Sequence, residues 1–433
     1  MSSPHKVSKW RRGGRISQYV IGALAVLFLA LAAACCPAQD DDEDPNETLE
    51  RLTLAIESHP DRAEGYVRRG EFLRDAGEDG RAVTDFGEAI RLDPRNAANH
   101  ILRGTILKAH GKYDRALADF NAALRIDPKN ARAYINRSSV WHALGDLDKA
   151  LDDSNAAIKL APKSAEGYVV RGMVYSTRQE FDKALRDYDA AIRLDPNNSS
   201  AFNNRGVIRQ YQGFIDQALA DYTQAIRADP EATASYLLRG KLCFAKHDRE
   251  QALRDFDAAV RLDPRNAEAW VQRGIVWHAK GKLNQAIKDW TEAIQLDPKN
   301  SEAYTQRALG LGTRGEFDRA LRDCDEAIRL NPKAAPVYHL QAWIWATNPI
   351  STYRNGERAV KSATRACELT GWRDALAIET LAAACAETGN FADAVKWQKK
   401  AIEILTRDKA SLTEAELRLK LYKSNKPFRD DPG

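Results

Sequence analysis

Residues 97–130 read AANHILRGTILKAHGKYDRALADFNAALRIDPKN, and this stretch decides the fold because the chain repeats it. The clearest mark of the repeat is a proline near its end. Nine prolines stand 34 residues apart, at Pro60, Pro94, Pro128, Pro162, Pro196, Pro230, Pro264, Pro298 and Pro332. Five of the nine follow Leu-Asp or Ile-Asp, so the spacing belongs to a repeated motif. Such a period predicts small helical units that stack in one dimension rather than separate globular domains.

The residue pattern of each unit predicts two helices that pack through small and aromatic residues. With the proline as position 32, positions 8, 11, 20, 24 and 27 of the quoted stretch are Gly104, Leu107, Ala116, Phe120 and Ala123. Positions 4, 7, 8 and 11 share one face of a first helix, and positions 20, 24 and 27 share one face of a second. Small residues at 8 and 20 allow the two backbones to approach, so we expect a helical hairpin in each unit.

The turn between the two helices has its own signature. Position 15 is glycine in six units, which suits a left-handed helix end: Gly77, Gly111, Gly145, Gly213, Gly281 and Gly315. Asp or Asn at position 18, as in Asp114, is predicted to cap the second helix, and the proline at position 32 to end it. Gln179 and His247 replace the glycine, so those turns should be strained by about 1 kcal/mol or bend differently.

This pattern resembles the tetratricopeptide repeat from about residue 45 to residue 405. The same slots recur, for example, as Gly172, Tyr175, Ala184, Tyr188, Ala191 and Pro196. The resemblance implies an all-α, right-handed superhelical solenoid of about ten helix–turn–helix repeats, preceded here by an N-terminal signal or anchor segment. Residues 342–402 are similar to a C-terminal variant of repeat proteins from planctomycete-type bacteria, which implies an exported or membrane-anchored family.

The ends of the array differ from its middle. Residues 46–62 match only a second helix and are predicted to form an N-terminal capping helix, after an acidic linker at 39–45. Eight full units follow, at 63–96, 97–130, 131–164, 165–198, 199–232, 233–266, 267–300 and 301–334. Residues 335–405 are predicted to form two divergent units with a longer loop near 348–355, and residues 406–433 a C-terminal capping helix and tail.

Residues 1–38 predict a signal peptide, a lipoprotein signal or a transmembrane anchor. Basic residues occupy 6–15, and the apolar segment 19–36 would span about 27 Å as a helix, close to the hydrocarbon core of a bilayer. Acidic residues follow at 40–44, and this order of charges places the repeats on the extracytoplasmic side, in the cell envelope. Three interpretations stay open: a signal that leads to lipidation of Cys35, cleavage after small residues, or an uncleaved anchor.

Charge and cysteine content argue against nucleic-acid and metal binding. Outside residues 6–15 the chain has 60 basic against 61 acidic residues, so the repeats carry no excess positive charge for a phosphate backbone. Cys243, Cys324, Cys367 and Cys385 lack the spacing of metal ligands and fall on positions that the repeat buries. Buried free thiols and a Cys367–Cys385 disulfide are the two alternatives. No metal and no cofactor are predicted.

Two charged positions recur in all eight full units. Position 7 is arginine: Arg69, Arg103, Arg137, Arg171, Arg205, Arg239, Arg273 and Arg307. Position 23 is aspartate: Asp85, Asp119, Asp153, Asp187, Asp221, Asp255, Asp289 and Asp323. Both positions border the seam between the two helices, which predicts a structural ladder of ion pairs, since arginine forms bidentate pairs with carboxylates. The alternative is a charged stripe that binds a partner.

Polar and aromatic side chains of the inner face are the candidates for binding a partner. In the family that the chain resembles, amides at positions 5 and 6 hold extended peptides in the groove. The candidates are Asn136, His142, Asn203, Asn204, Gln272, His278, Gln306 and Trp343. The Lys/Asn/Arg clamp for a terminal carboxylate in chaperone-binding members is absent, because the first units offer Val67, Glu71 and Leu102.

These features predict a non-catalytic scaffold that binds a protein or peptide and is held at the membrane by its N-terminal segment. The alternative function is a structural spacer in an envelope assembly. Catalysis is not expected, because the chain lacks P-loop, GxSxG and HExxH motifs and has no span outside the repeats for a catalytic domain. The partner is a protein or peptide of unknown identity, nucleic acid is not expected, and the repeat body is expected to be monomeric.

Overall fold

The computed structural model describes residues 44–407 and 412–430, and every regular element in these residues is helical. The 22 described α-helices are α1 (Pro45–Ser58), α2 (Ala63–Asp75), α3 (Asp79–Leu92), α4 (Ala97–Ala109), α5 (Tyr113–Ile126), α6 (Ala131–Ala143), α7 (Leu147–Leu160), α8 (Ala165–Thr177), α9 (Phe181–Leu194), α10 (Ser199–Tyr211), α11 (Ile215–Ala228), α12 (Thr233–Ala245), α13 (Arg249–Leu262), α14 (Ala267–Ala279), α15 (Leu283–Leu296), α16 (Ser301–Thr313), α17 (Phe317–Leu330), α18 (Ala335–Thr347), α19 (Gly356–Leu369), α20 (Ala375–Glu387), α21 (Phe391–Arg407) and α22 (Thr413–Lys423). The predicted all-helical repeat fold is confirmed.

The described residues form two compact units, which divide between Asn136 and Arg137. The predicted signal or anchor at 1–38, with Cys35, and most of the acidic linker lie outside the described residues. None of the helices within 44–407 and 412–430 combines the length and the apolar character needed to cross a bilayer.

In the first compact unit, each of the hairpins α2–α3 and α4–α5 packs around its own aromatic side chain at position 24. Phe86 and Phe120 are fully buried there. A Cβ atom on Gly104 would lie 2.7 Å from the Phe120 ring, so only glycine lets α4 approach α5 this closely. Leu73, Ala82 and Ile106 complete the apolar layer around Phe86. Gly104, at position 8, therefore allows the close approach of the two helices that the small residues predicted.

In the second compact unit, the repeat 267–300 has a larger ring, Trp290, at position 24. Trp290 is fully buried, and its indole nitrogen donates to the carbonyl of Val271 at 3.2 Å. A Cβ atom on Gly274 would lie 2.5 Å from the same nitrogen. The hydrogen bond satisfies the polar atom of the ring, so the indole is buried without an unpaired donor.

The turns between paired helices adopt the left-handed conformation. Gln179 and His247, which replace the expected glycine, have φ angles of 62° and 64°, close to those of Gly111 and Gly281 at 67° and 71°. Of the two expectations for these turns, the strained one is confirmed, because a side chain in this region costs about 1–2 kcal/mol. The backbone keeps the repeat geometry and does not bend differently.

The predicted cap at position 18 is wrong. Helix α5 begins at Tyr113, so Asp114 already lies in its first turn, and the flanking Lys112 makes no side-chain cap. The left-handed turn at position 15 places the first helical residue at position 17, two residues earlier than a cap at position 18 would give. Asp114 instead stabilises the positive end of the helix dipole. Side-chain caps occur elsewhere: Asn96 and Asn266 accept from the backbone of Ala98 and Ala269 at the start of first helices. At position 16, Asp146 and Asp248 cap two of the second helices.

The last part of the second unit departs from the repeat. Between α18 and α19 the chain forms a 3-10 turn, Ser351–Tyr353, within the inserted loop. After α21, the short helix α22 packs at the end of the stack, and residues 424–430 follow it. Cys367 and Cys385 lie in the core of this region as free thiols, so they are not bridged. Burial raises the pKa of Cys367 to about 12, which makes the thiol a poor nucleophile.

Candidate functional site

The arginines at position 7 and the aspartates at position 23 form bidentate pairs in all eight full units. In each pair Nε and Nη2 of the arginine donate to the two carboxylate oxygens at 2.6–3.2 Å. Every one of these aspartates is at least nine-tenths buried. In Arg239, the hydrogen bond to Asp255 is the main cause of a raised pKa. The pairs therefore lie inside the helix seam.

The same arginines also connect consecutive repeats. Their third donor, Nη1, reaches position 25 of the preceding unit in six cases: Arg69 to Thr53, Arg171 to Asn155, Arg205 to Asp189, Arg239 to Thr223, Arg273 to Asp257 and Arg307 to Thr291. These guanidinium groups are engaged within the chain on both sides. The geometry therefore favours a structural role over a stripe that faces a partner.

Most of the predicted groove residues do not come together. Asn136 is buried, accepts from Lys108 at 2.7 Å and donates to the carbonyl of Arg132 at 3.0 Å, so its amide is already engaged. His142 shares a hydrogen bond of 2.7 Å with Thr177. Asn203 donates to Ser235 at 2.8 Å. Burial lowers the pKa of His142, as it does for His278, so both are neutral at neutral pH.

Asn204, Gln272 and His278 are half-buried and lie outside the cavity described next. The ring of His278 lies 5.9 Å from that of Trp290. Of the eight predicted residues, Gln306 and Trp343 are the two that line a common cavity.

This cavity, of about 630 Å³, lies at the C-terminal end of the second unit. The first helices of three successive hairpins, α16, α18 and α20, supply most of its wall, and α22 and the tail supply the rest. Its lining includes Thr305, Gln306, Leu309, Thr313, Phe317, Pro336, His339, Leu340, Trp343, Ile344, Leu376, Glu379, Glu414, Arg418 and Asp430. Its size lies within the range of binding pockets for small ligands and short peptide segments.

Trp343 is held by residues that lie beyond the repeats. Its indole nitrogen donates to Asp430 at 2.5 Å, and the ring of Phe428 lies 6.0 Å away. The guanidinium carbon of Arg418 lies 5.8 Å from the indole centroid. The backbone nitrogen of Asp430 also donates to the carbonyl of Thr347 at 2.9 Å, which fixes the tail against α18. The tail therefore orients the predicted contact residue and forms one side of the cavity.

A buried polar network supports the floor of the cavity. Arg418 donates to both carboxylate oxygens of Glu379 at 3.0 and 3.1 Å, and Gln398 donates to the same carboxylate at 2.7 Å. All three side chains are more than nine-tenths buried. Because a buried ion pair with several hydrogen bonds allows few alternative geometries, this network fixes α22 against α20.

His339 presents a hydrogen-bond acceptor. Its Nδ1 lies 2.6 Å from the hydroxyl of Thr380, and that hydroxyl donates its single proton to the carbonyl of Leu376 at 2.9 Å. When that hydroxyl donates to Leu376, it accepts from His339, and this geometry favours the tautomer with the proton on Nδ1 and the lone pair on Nε2. Burial lowers the pKa of His339, against the opposing effect of Asp374 and Glu379, so the ring is neutral at neutral pH.

His339, Glu379 and Arg418 were missed by sequence reasoning. His339 and Glu379 stand at position 5 of the divergent units, the same groove position as the predicted amides, so applying the rule to every side chain type would have found them. Arg418 lies on α22, outside the repeat, and meets Glu379 across 39 residues of sequence. No periodic signal marks it.

The lining of the cavity is suited to binding. Within the described part of the chain, no cluster of three His, Cys, Asp or Glu side chains could hold a metal ion. The cavity instead combines apolar side chains with a few fixed donors and acceptors, which is typical of a recognition site.

Comparison with known proteins agrees with this architecture. Models described as Tetratricopeptide repeat match residues 101–165, 208–248 and 267–300, and a model described as TPR repeat matches residues 172–213. No curated protein matches the chain.

Several solved structures are similar to it. The APC/C hetero-tetramer Cut9–Hcn1 is 16% identical, with 78% of this chain and 81% of that chain covered and a TM-score of 0.52. A tetratricopeptide repeat protein from Parabacteroides merdae is 23% identical, with 57% and 98% covered and a TM-score of 0.44. YrrB, described as a TPR protein with an unusual peptide-binding site, is 23% identical, with 43% and 96% covered and a TM-score of 0.37.

At this level of identity the likeness to Cut9–Hcn1 shows the fold alone. The matched segments coincide with helical hairpins of the structure and follow the same repeat pattern as these hairpins. On these grounds residues 101–165, 172–248 and 267–300 consist of tetratricopeptide repeats.

Proposed function

We propose that this chain is a non-catalytic scaffold that binds a peptide segment of another protein in the groove of its last repeats. Tetratricopeptide repeat proteins generally mediate protein or peptide interactions. The observation that carries the proposal is the cavity of about 630 Å³, in which groove positions of three successive hairpins converge. Its apolar side chains and fixed polar groups suit a short peptide.

Two exposed leucines support a binding role for this groove. Leu309 and Leu376 line the cavity, and 39% and 58% of their surfaces are exposed. Together with the half-buried Trp343, they form an apolar surface that a partner side chain would cover. Burying such a surface is the main favourable contribution to peptide association.

The scaffold acts at the membrane or after export in this proposal. The basic residues at 6–15, the apolar segment 19–36 and the acidic residues at 40–44 support an N-terminal segment that crosses or is processed at the membrane. The repeats then lie on the extracytoplasmic side, anchored by that segment or by a lipid on Cys35. The likeness of residues 342–402 to repeat proteins of planctomycete-type bacteria supports the same location.

Site-specific photocrosslinking tests the proposed groove. A photoreactive residue replaces Leu309 in the groove or, as the control, Leu417, which is 54% exposed and does not line the cavity. The full-length chain is irradiated in cells, and the crosslinked peptides are identified by mass spectrometry. We expect adducts at position 309 that map to one contiguous partner segment and are lost in the Leu376→Ser background.

Each outcome separates the two candidate functions. Adducts that form equally at 309 and 417 and persist in the Leu376→Ser background would contradict groove binding. Adducts confined to position 417 would favour the structural spacer, in which the outer faces and ends of the array make the contacts.

A further inference from the structure

The cavity in the last repeats carries an excess of negative charge. Among its described lining residues, the carboxylates of Glu379, Glu414 and Asp430 share one guanidinium group, that of Arg418. Arg418 binds Glu379 through two hydrogen bonds and lies 3.4 Å from the exposed carboxylate of Glu414. Asp430 accepts from the uncharged indole of Trp343. One positive charge therefore balances three negative charges around the cavity.

One neutral side chain of the lining, His339, adds an acceptor to this charge. In the tautomer that its contact with Thr380 favours, the proton is on Nδ1 and Nε2 is an acceptor. The only strong donor that the lining charges supply, Arg418, is directed to Glu379 and Glu414. A ligand that donates hydrogen bonds and carries positive charge is therefore complementary to these groups, and a ligand with carboxylates is repelled.

The apolar part of the cavity adds a second requirement. Leu309, Leu376 and Trp343 line the same cavity as the carboxylates. A ligand must cover these side chains while placing its charge beside Glu414 and Asp430. A free cation such as a metal ion meets only one of the two requirements, whereas a peptide with adjacent apolar and basic side chains meets both.

We propose that the groove binds a partner segment in which an arginine or lysine stands next to an apolar side chain. This inference rests on the proposed function and adds the chemistry of the partner. The apolar side chain packs against Leu309 and Leu376, and the cationic head pairs with Glu414 and Asp430. Both of these carboxylates belong to α22 and the tail, so the selectivity for charge comes from outside the repeats.

Fluorescence anisotropy with three labelled peptides tests the inference on the full-length chain. The peptides share the same apolar residues and differ at two positions, which are arginine, serine or glutamate. We expect the arginine peptide to bind most tightly and the glutamate peptide most weakly. The preference should shrink as salt is raised to about 0.5 M, because exposed charges are then screened.

Variants of the two carboxylates test whether Glu414 and Asp430 cause the preference for a basic peptide. We expect Glu414→Gln and Asp430→Asn each to weaken binding of the arginine peptide about two- to fivefold, and the double variant about tenfold, with little effect on the serine peptide. Asparagine at 430 can still accept from Trp343, so the wall of the cavity is retained. Glu403→Gln, an exposed carboxylate on α21 that does not line the cavity, is the matched control and should change nothing.

The outcomes distinguish this inference from the proposed function. If all three peptides bind equally, or the glutamate peptide binds best, the charge preference is wrong while the groove remains a peptide site. If the double variant binds the arginine peptide as tightly as the wild type, Glu414 and Asp430 do not pair with the cationic side chain of the peptide. If no peptide binds, the inference fails, and crosslinking at position 309 decides separately whether the groove has a partner.

Discussion

The regular repeats from residue 137 to residue 334 and the two divergent repeats after them bury their polar residues in different places. In the regular repeats, position 7 is arginine and position 23 is aspartate, and the pair lies in the seam between the helices, as for Arg239 and Asp255. In the first divergent repeat the same positions hold Gln341 and Ser362, joined by one neutral hydrogen bond of 3.0 Å. In the next repeat, position 7 is Leu381 and the seam has no such pair.

The buried charge of the divergent repeats lies beside the groove instead. Glu379, Arg418 and Gln398 form their network where α20 meets α22, and two of the three line the cavity. A charge in the seam ties one hairpin to its neighbour and is the same in every repeat. A charge beside the groove can differ from repeat to repeat and can interact directly with a bound ligand. In the proposed function, the regular repeats therefore act as the scaffold and the divergent repeats determine the selectivity.

The largest expected effect is the loss of one seam carboxylate. Asp221 is 2% exposed and accepts from Arg205 at 2.6 and 3.2 Å and from Arg209 at 2.8 Å. Asp221→Ala leaves these arginines without their buried partner, so we expect a loss of about 3–5 kcal/mol in the free energy of unfolding. Urea denaturation followed by circular dichroism measures it.

Two companion variants sharpen this result. Ser362→Ala removes only a neutral bond from a divergent repeat and should cost about 1 kcal/mol. Arg205→Leu should leave the fold intact, because Arg209 still donates to Asp221. Equal melting temperatures for Asp221→Ala and the wild type would show that the seam pairs do not stabilise the regular repeats.

Glycine substitutions in the left-handed turns should have a smaller effect on stability. The sign of this effect should differ between the regular and the divergent repeats. Gln179, with φ of 62°, gains nothing specific from its side chain at this backbone position, so Gln179→Gly should stabilise the chain by about 1 kcal/mol. Trp372, with φ of 60°, stacks on Trp397 at 5.0 Å. Trp372→Gly should therefore destabilise the chain, since the lost aromatic contact outweighs the relief of strain. Melting temperatures that rise in both variants would contradict the assigned role of the Trp372 ring.

The fold could be predicted from the sequence because its signals are local and repeated. The proline at position 32 and the glycine at position 15 mark helix ends within a few residues, and their recurrence fixes the length of every hairpin. The misplaced cap at Asp114 shows the limit of this reasoning, since a shift of two residues in the helix start changes a cap into a first-turn residue. Gln179 shows the opposite, because the repeat imposed its geometry on a residue that does not favour it.

The candidate site could be predicted only in part. Gln306 and Trp343 stand in groove positions that the repeat numbering identifies, and both line the cavity. The numbering says nothing about α22 and the tail, because they follow no repeat. Arg418 and Asp430 reach the groove through tertiary packing, across 39 residues to Glu379 and 87 residues to Trp343. Contacts of this range have no signature in local sequence, so the charge of the cavity became visible only in the structure.

The smallest expected effect is a loss of stability in mild acid that originates in the divergent repeats. Burial lowers the pKa of His339, and Asp374 and Glu379 oppose that shift only in part. Below about pH 6.5 the unfolded chain therefore binds a proton at this residue that the folded chain does not, and the free energy of unfolding falls as the pH falls. His339→Gln should reduce this loss, measured by urea denaturation at about pH 7.5 and about pH 5.5. A larger reduction in His278→Gln, a half-buried histidine of the regular repeats that does not line the cavity, would place the origin of the acid sensitivity outside the cavity.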